Sequence, residues 1–287
     1  MKICRFDNDR LGIVEGDRVL DVTGALDALP KVSWPLPQGD LLIANLDKVV
    51  ARIEAIKHAA TPKPLAAVKL KSPVANPSKI VGAPVNYQLH IDEATKNPGA
   101  FANPSSNMLN IRTAGPFLKA NSSLVGPSEG VALRFTDRRN DHEVELAVVI
   151  GKAGSAIPAA KALDHVAGYA IGLDMTVRGT EDRSVRKSVD SYSVLGPWLV
   201  TADEIPDPNN LDLSITVNNE PRQKSNTRML ILNVQQCIEF FSSYYTLLPG
   251  DIIMSGTPEG VGPVKNGDLM IAEVEKVGRM EVRVRNA

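Results

Sequence analysis

The stretch DHEVELAVVI, residues 141–150, has the composition of a buried β-strand, and it carries two carboxylates at its start. Apolar and β-branched residues dominate its second half, which favours a strand. Successive strand side chains alternate faces, so Glu143 and Glu145 point one way and Val144 points the other. Two like charges on one face repel each other unless water screens them or a cation lies between them. Two interpretations therefore stay open, a solvated strand face and a cation site.

Strand-like runs of this kind dominate the chain from Lys79 onward. Only two helices are predicted among them, at 157–166 and 233–245. Many strands with few helices are typical of a mostly β fold of the sandwich, roll or barrel type. The predicted strands lie in IVGAPV, FLKA, VELAVVI, YAIGLDMTV, PWLVTA, LDLSITVNN, DIIMSGT, DLMIAEVEKVG and MEVRVRNA.

The first part of the chain has a different pattern. Residues 1–23 contain three short apolar runs separated by turn residues, which predicts a small antiparallel meander. Residues 40–58 have helical apolar spacing, and Asp40 is suited to be the N-cap. The apolar face of this predicted helix consists of Leu42, Leu46, Val49, Ile53 and Ile56.

A segment rich in proline and lysine, residues 61–80, follows the predicted helix. We interpret it as the connection out of a small N-terminal α+β domain. The predicted division is therefore residues 1–75 for this small domain and residues 76–287 for a larger, strand-rich one.

Composition restricts the class of protein. The 287 residues carry a formal net charge of −1, and the basic residues are scattered, so we expect neither nucleic acid nor a membrane surface as partner. No apolar run approaches the ~20 residues of a membrane span, and the N-terminus lacks a signal-peptide pattern. Cys4 and Cys237 give no disulfide framework, and we expect both to be reduced. These features predict a cytoplasmic protein.

A third carboxylate favours the cation site over the solvated face for Glu143 and Glu145. Asp174 follows the apolar run GYAIGL, so we expect it at the end of a neighbouring strand. Carboxylate oxygens from two strand ends suit a hard divalent cation, Mg²⁺ or Mn²⁺. His142 precedes the pair and points to the other face, so we do not expect it to be a ligand.

The stretch NYQLHIDE, residues 86–93, places His90 and Glu93 three positions apart. On a helical turn these side chains meet, and a histidine oriented by a carboxylate is a general-base unit. An ordinary surface turn of helix is the alternative. The residues that follow, 94–116, form a long polar run typical of a lid or binding loop.

The glycine-rich stretch GTPEGVG, residues 256–262, resembles a phosphate loop only superficially, because neither Lys-Ser/Thr nor a helical pattern follows it. We expect its glycines to allow close backbone approach to a ligand, with Thr257 supplying a hydroxyl. Arg178 and Lys187 follow Asp174 closely and are either site residues or ordinary surface cations.

Taken in order, these motifs resemble the fumarylacetoacetate hydrolase family. Each motif is weak by itself, but the ordered combination is specific, and it covers about residues 78–280. Residues 1–75 resemble the small N-terminal domain of many longer bacterial members. The matching stretches are IVGAPVNYQLHIDE, FLKANSSLVGP, DHEVELAVVIGK, GYAIGLDMTVRG, KSVDSYSVLGPWLV, LLPGDIIMSGTPEGVG and NGDLMIAEVEKVG.

The resemblance implies a β-roll catalytic domain, usually homodimeric, and a site with three groups of residues. A Mg²⁺ or Mn²⁺ ion is implied at Glu143, Glu145 and Asp174. A catalytic dyad is implied on a segment that orders over the substrate. The implied catalytic residues are His90, Glu93 and Lys187, and the implied substrate-binding residues are Arg178, Thr257, Lys119 and Tyr87.

Two departures from the family pattern concern the substrate. Many relatives have Asn-Tyr directly after Gly-Leu, whereas here Gly82 and Asn86 are separated by Ala-Pro-Val. Relatives often carry R-D-x-Q and a longer, tryptophan-bearing loop after the metal-binding Asp. In this chain the segment is the shorter MTVRGTEDRSVR, with Glu181 and Arg183 in that region.

The resemblance implies metal-dependent hydrolysis of a 2,4-dioxo acid, an acylpyruvate, to pyruvate and a carboxylic acid. Maleylpyruvate, fumarylpyruvate and a 2,4-diketo-3-deoxy sugar acid are the expected substrates. An isomerase or hydratase of a hydroxymuconate-type acid, or an oxaloacetate decarboxylase, is the alternative on the same fold. A metal-dependent binder of oxo-acids without catalysis is a third reading, which the complete set of carboxylates, dyad and lysine disfavours.

Overall fold

The computed structural model describes residues 1–96 and 111–287. Strands dominate these ranges, and every strand predicted from the sequence is present, which confirms the mostly β class. The strands are β1 Lys2–Phe6, β2 Arg10–Glu15, β3 Arg18–Asp21, β4 Pro62–Pro64, β5 Leu70–Lys71, β6 Ile80–Gly82, β7 Phe117–Lys119, β8 Leu124–Val125, β9 Val131–Leu133, β10 Asn140–His142, β11 Val144–Ile150, β12 Val166–Asp174, β13 Thr176–Val177, β14 Ser193–Thr201, β15 Asp212–Val217, β16 Glu220–Asn226, β17 Ile252–Met254, β18 Gly262–Pro263, β19 Leu269–Val274 and β20 Gly278–Asn286.

Five α-helices lie within the described ranges, and the predicted loop at 94–116 falls largely on residues 97–110, outside them. The α-helices are α1 Leu46–Ile56, α2 Gln88–Lys96, α3 Ile111–Ala114, α4 Arg183–Lys187 and α5 Val234–Ser242. The 3₁₀ helices are Thr23–Ala28, Ile43–Asn45, Lys57–Ala59, Leu65–Ala67, Asn121–Ser123, Pro127–Glu129, Ala159–His165, Ala202–Glu204 and Thr227–Met229.

The two helices predicted after residue 150 differ in outcome. The one at 233–245 is α5, which begins with a capping box: Asn233 accepts from Gln236 N–H at 3.0 Å, and the Gln236 side chain accepts from Asn233 N–H at 3.1 Å. The one at 157–166 is only a 3₁₀ helix, Ala159–His165. Two N–H groups at and just before its start donate hydrogen bonds to side chains of α5. Ile157 N–H donates to Ser242 Oγ, and Ala159 N–H donates to Glu239 Oε1.

The strands of the described residues form three sheets. The largest has twelve strands, with β4-β3-β2-β1-β14-β12-β11-β17-β6-β7 in sequence across it, β5 on β1 and β8 on β14. A five-stranded sheet, β16-β15-β19-β20-β9, contributes to the same apolar core. A three-stranded ribbon, β13-β10-β18, lies just outside the start of β11.

Strands β11, β12 and β14 are buried along almost their whole length. Side chains of β11 alternate between two apolar clusters, one containing Leu146 and Val148 and the other Ala147 and Val149. Both faces of the central strands are therefore covered, which explains why VELAVVI is continuously apolar apart from Glu145.

The first 75 residues contain the predicted meander, β1-β2-β3, and a small apolar cluster of their own that includes Ile13, Val49 and Ile53. The helix predicted at 40–58 is the shorter α1, and its N-cap is Asn45, so the prediction of Asp40 as N-cap is wrong. Asp40 instead accepts from Leu42 and Ile43 N–H in the turn before α1. Strand β1 pairs with β14, so the meander extends the large sheet. The division at residue 75 stays a prediction.

Cys4 and Cys237 are buried and form no disulfide. Among residues 1–96 and 111–287, none of the helices combines the length and the apolar character that a membrane crossing requires.

Candidate active site

The carboxylates of Glu143, Glu145 and Asp174 meet at one edge of the large sheet. Strands β11 and β12 are antiparallel with Val144 opposite Leu173, so the start of β11 lies beside the end of β12. Asp174 N–H donates to the Glu143 carbonyl at 2.9 Å. Ligand oxygens of the three side chains lie within 4.8 Å of one another. The three residues are at most 5 % exposed, so the solvated-face interpretation of the acidic pair is wrong.

Two lysines reach into this cluster from separate elements. Lys187, at the end of α4, donates to Glu143 Oε2 at 2.6 Å, to Asp174 Oδ2 at 2.7 Å and to Thr176 Oγ1 at 2.7 Å. Lys119, at the end of β7, contacts the Asp174 carboxylate and donates to the Tyr192 carbonyl at 2.7 Å. The predicted site lysines are therefore both buried among the carboxylates rather than on the surface.

Glu145 has a different environment from the other two carboxylates. Its Oε2 accepts from Gly256 N–H at 2.7 Å, and in the described part of the chain no cation lies within ion-pair distance of it. Burial, followed by the charge of Asp174, raises the pKa of Glu145 well above its ordinary value. For Glu143, burial acts in the same direction, but Lys187, Arg178 and His90 outweigh it and lower the pKa to about 2.

This donor set fits a divalent metal ion. Three buried carboxylates supply hard oxygen ligands of the kind that Mg²⁺ and Mn²⁺ prefer. Burial, followed by the charge of Asp174, disfavours the ionised form of Glu145. A divalent cation would favour the ionised form of this carboxyl group. Glu143, Glu145 and Asp174 are the residues that would hold the ion.

Arg178 borders the cluster beside Glu143. Its Nε donates to Asp141 Oδ2 at 2.7 Å and its Nη2 to Glu143 Oε1 at 3.3 Å. Asp141 is fully buried and also accepts from Arg139 Nε at 2.7 Å. The guanidinium group is thereby fixed in orientation by two carboxylates, and it adds positive charge next to Glu143.

The dyad forms as its spacing predicts, on α2. His90 Nδ1 lies 3.3 Å from Glu93 Oε2, and the His90 side chain is largely buried. The Glu93 carboxylate accepts from Gly260 N–H at 3.1–3.2 Å. The dyad therefore adjoins the stretch 256–262, where Gly256 N–H bonds Glu145 of the carboxylate cluster.

The glycine-rich stretch 256–262 connects the two halves of the site. Gly256 N–H bonds Glu145 of the cluster, and Gly260 N–H bonds Glu93 of the dyad. Both glycines have positive φ, +105° and +91°. A Cβ at Gly256 would lie 2.7 Å from Asn86 Cβ, and one at Gly260 would lie 2.1 Å from the Arg222 carbonyl oxygen, so a larger residue fits at neither position.

Tyr87 and Thr257, both predicted to bind substrate, are buried near Glu145 and Val144 respectively. The Tyr87 hydroxyl has no hydrogen-bond partner among the described residues, and burial followed by Glu145 raises its pKa. The Thr257 hydroxyl donates to the Val144 carbonyl at 2.9 Å and accepts from Gln223 Nε2 at 2.7 Å. It therefore has a structural role already.

Gln223 is a site residue that the sequence does not reveal. Its Oε1 accepts from Val144 N–H at 3.1 Å and lies 3.1 Å from His142 Nδ1, while its Nε2 donates to Thr257 Oγ1. This buried side chain, from β16, connects the start of β11 with the glycine-rich stretch. The surrounding segment EPRQKSN is polar, so nothing in its pattern indicates a buried glutamine. His142 is not among the residues whose ligand atoms cluster with the carboxylates.

Comparison with known proteins finds matches over the whole length of the chain. The sequence profile described as fumarylacetoacetate (FAA) hydrolase C-terminal matches residues 79–285. A maleylpyruvate hydrolase of Aquipseudomonas alcaligenes is 57% identical over 286 residues, covering 100% of both chains. A 2,4-didehydro-3-deoxy-L-rhamnonate hydrolase of Sphingomonas sp. (strain SKA58) is 33% identical, covering 99% of this chain and 96% of the relative.

A solved structure is also similar over the whole length. The maleylpyruvate hydrolase from Sphingobium sp. SYK-6, in complex with manganese (II) ion and pyruvate, superposes with a TM-score of 0.84 at 40% identity, covering 100% of both chains.

Proposed function

Because the chain belongs to the fumarylacetoacetate hydrolase family, we propose that it hydrolyses a C–C bond of a 2,4-dioxo acid, releasing pyruvate and a carboxylic acid. The buried carboxylate cluster beside the His90–Glu93 dyad supports this reaction most directly. The full-length similarity to a maleylpyruvate hydrolase supports the acylpyruvate class of substrate. The enzyme uses Mg²⁺ or Mn²⁺, which Glu143, Glu145 and Asp174 would bind.

Bound there, the metal ion would supply Lewis acidity toward the carboxylate and 2-oxo group of the substrate. Lys187, already in contact with Glu143 and Asp174, would stabilise negative charge that develops on the pyruvate half. Arg178 would bind the oxo-acid or its developing charge, and Lys119 would keep Asp174 in place. We propose Tyr87 and Thr257 as further substrate contacts, through the unpartnered phenol of Tyr87 above all.

The dyad would supply the nucleophile. Glu93 orients the imidazole ring through Nδ1, and His90 Nε2 would take a proton from water. The water oxygen then attacks C4 of the dioxo acid. When the C3–C4 bond breaks, its electron pair passes to C3 as the pyruvate enolate, which takes up a proton. The C4 carbon leaves as a carboxylic acid.

We also propose that the protein works as a homodimer in the cytoplasm, on a small oxo-acid. Sedimentation equilibrium of the Mn²⁺-loaded protein tests the assembly, with twice the 30.9 kDa chain mass expected. A monomer mass at all concentrations would contradict it.

A substrate panel tests the proposed reaction. We expect the Mn²⁺-loaded protein to release pyruvate from maleylpyruvate, fumarylpyruvate or a 2,4-diketo-3-deoxy sugar acid, and the EDTA-treated protein to release none. Pyruvate is followed with a coupled dehydrogenase, and oxaloacetate and a hydroxymuconate-type acid are included. Turnover of these two with no pyruvate from any 2,4-dioxo acid would show that the enzyme is a decarboxylase or isomerase instead.

A further inference from the structure

Arg183, the first residue of α4, stands in a segment that its neighbours hold in place. Asp182 caps the helix by accepting from Ser184 N–H at 2.8 Å. Arg138 forms a two-pronged ion pair with Glu181, at 2.9 and 2.7 Å. The backbone at Arg183 is thereby fixed by residues on either side, without any contribution from the Arg183 side chain.

The side chain itself differs from the other cations near the carboxylates. Lys187, Lys119 and Arg178 each contact at least one carboxylate. Within the described ranges Arg183 has neither an ion pair nor a hydrogen bond, and its guanidinium group lies over the Phe117 ring, 5.7 Å from the ring centroid. The Arg183 guanidinium group can therefore still bind an anionic ligand.

Phe117 places this guanidinium group beside the site. The Lys187 ammonium group lies 5.5 Å from the centroid of the same ring. The Phe117 ring is buried against Gly82, and a Cβ added at Gly82 would lie 2.1 Å from the ring. Gly82 and Phe117 are paired residues of β6 and β7, so this strand pairing fixes the position of the ring. Arg183 and Lys187 therefore share one rigid aromatic surface next to the carboxylate cluster.

The carboxylates around Arg183 do not offset its burial. Burial lowers the pKa of Arg183, although Glu143, Asp182 and Asp174 act against this effect. Arg186, three positions on, is buried with Nη1 unpartnered among the described residues. Desolvating guanidinium groups without an anion is costly, so an anionic ligand at this point would be favourable.

We propose that Arg183 binds a second carboxylate, at the acyl end of the substrate, and so selects dicarboxylic 2,4-dioxo acids. The inference rests on the proposed function, since the pyruvate end of the same substrate would lie at the carboxylate cluster. A guanidinium group matches a carboxylate with two parallel hydrogen bonds. A neutral acyl group, such as that of a sugar-derived dioxo acid, offers it no such partner.

Comparing the affinities of two oxo-acids of equal length measures the contribution of the contact between Arg183 and the second carboxylate. 2-Oxoadipate and 2-oxohexanoate differ only in the distal carboxylate, and calorimetric titration into the Mn²⁺-loaded protein does not depend on turnover. We expect the wild type to prefer 2-oxoadipate by about 10–100-fold, the value of a hydrogen-bonded charge pair. In Arg183→Gln this preference should disappear, while affinity for 2-oxohexanoate changes less than about threefold.

Two further variants separate recognition from folding. Arg183→Lys retains the charge without the planar fork and should keep part of the preference. Arg134→Gln removes an exposed arginine that pairs with Asp190 on the surface, and should keep all of it. Equal loss of affinity for both ligands in Arg183→Gln, or no preference in the wild type, would overturn the inference.

The same ligands distinguish the inference from the proposed function. If the wild type shows the Arg183-dependent preference but hydrolyses no dioxo acid, the reaction assigned above is wrong and the carboxylate contact stands. If the wild type releases pyruvate from dioxo acids without any preference for 2-oxoadipate, the reaction stands and the contact is refuted.

Discussion

The Asp174→Asn variant is expected to lose pyruvate release by about 10³-fold, the value of several kcal/mol of Lewis-acid stabilisation. Asparagine keeps the shape of the side chain but removes one of the three negative charges of the proposed metal site. The variant should also lose the rise in melting temperature that Mn²⁺ gives the wild type, because the ion binds only the folded state. Thermal unfolding with Mn²⁺ and with EDTA measures this shift.

Asp174→Asn should also destabilise the metal-free protein, by about 3–5 kcal/mol, because breaking a buried ion pair leaves its partner charge uncompensated. Lys119 and Lys187 both contact this carboxylate, and Lys119 has no other carboxylate within ion-pair distance in the described ranges. Removing Asp174 also relieves repulsion with Glu145, but two buried ammonium groups outweigh one carboxyl group. Urea unfolding in EDTA measures the difference.

Asp190→Asn is the matched control, because Asp190 pairs with Arg134 while both are more than half exposed. An exposed pair contributes about 0–1 kcal/mol, so this variant should behave as the wild type in every assay. Wild-type activity and an unchanged Mn²⁺ shift in Asp174→Asn would show that the carboxylate cluster is not the metal site, and the proposed reaction would lose its Lewis acid.

The pH dependence of the metal-free protein has a definite sign. The pKa of Glu145 is raised in the folded state, so this group keeps a proton that the unfolded chain gives up. Its contribution therefore lowers the free energy of unfolding as pH rises above the ordinary carboxyl pKa of about 4.3. Mn²⁺, which needs the ionised carboxylate, should oppose this loss and stabilise more at higher pH. Glu145→Gln should flatten the dependence.

Local sequence patterns were sufficient for the parts of the site that lie close together along the chain. Glu143, in the break between β10 and β11, and Glu145, within β11, meet as the alternation of a strand predicted, and the helical period of α2 aligned His90 with Glu93. An acidic residue closing an apolar run was enough to predict Asp174 at a strand end. Each of these inferences needs only neighbouring residues.

Contacts between distant segments could not be predicted in this way. Gln223 reaches Val144 across 79 positions, from a polar segment with no apolar pattern, and only the packing of the two larger sheets brings them together. The pairing of β1 with β14 joins residues about 200 positions apart. Arg183 was visible only as a departure from relatives, since a missing partner cannot be read from a linear pattern.

Replacing either member of the dyad is expected to reduce hydrolysis by about 10²–10⁴-fold, the usual contribution of a general base. His90→Ala removes the group that takes the proton from water. Glu93→Gln removes the charge that orients His90, yet its amide oxygen can still accept from Gly260 N–H, so the glycine-rich stretch should keep its position. His58→Ala is the control, because His58 is exposed in the N-terminal part of the chain.

Metal binding separates this prediction from the first one. Neither dyad residue belongs to the carboxylate cluster, so the Mn²⁺-dependent rise in melting temperature should persist in His90→Ala and Glu93→Gln. If the wild type decarboxylates oxaloacetate, both variants should retain that activity, because holding the enolate requires the metal and Lys187 but no base directed at water. Wild-type hydrolysis in both variants would exclude the dyad, and loss of the Mn²⁺ shift would show instead that His90 and Glu93 support the metal site.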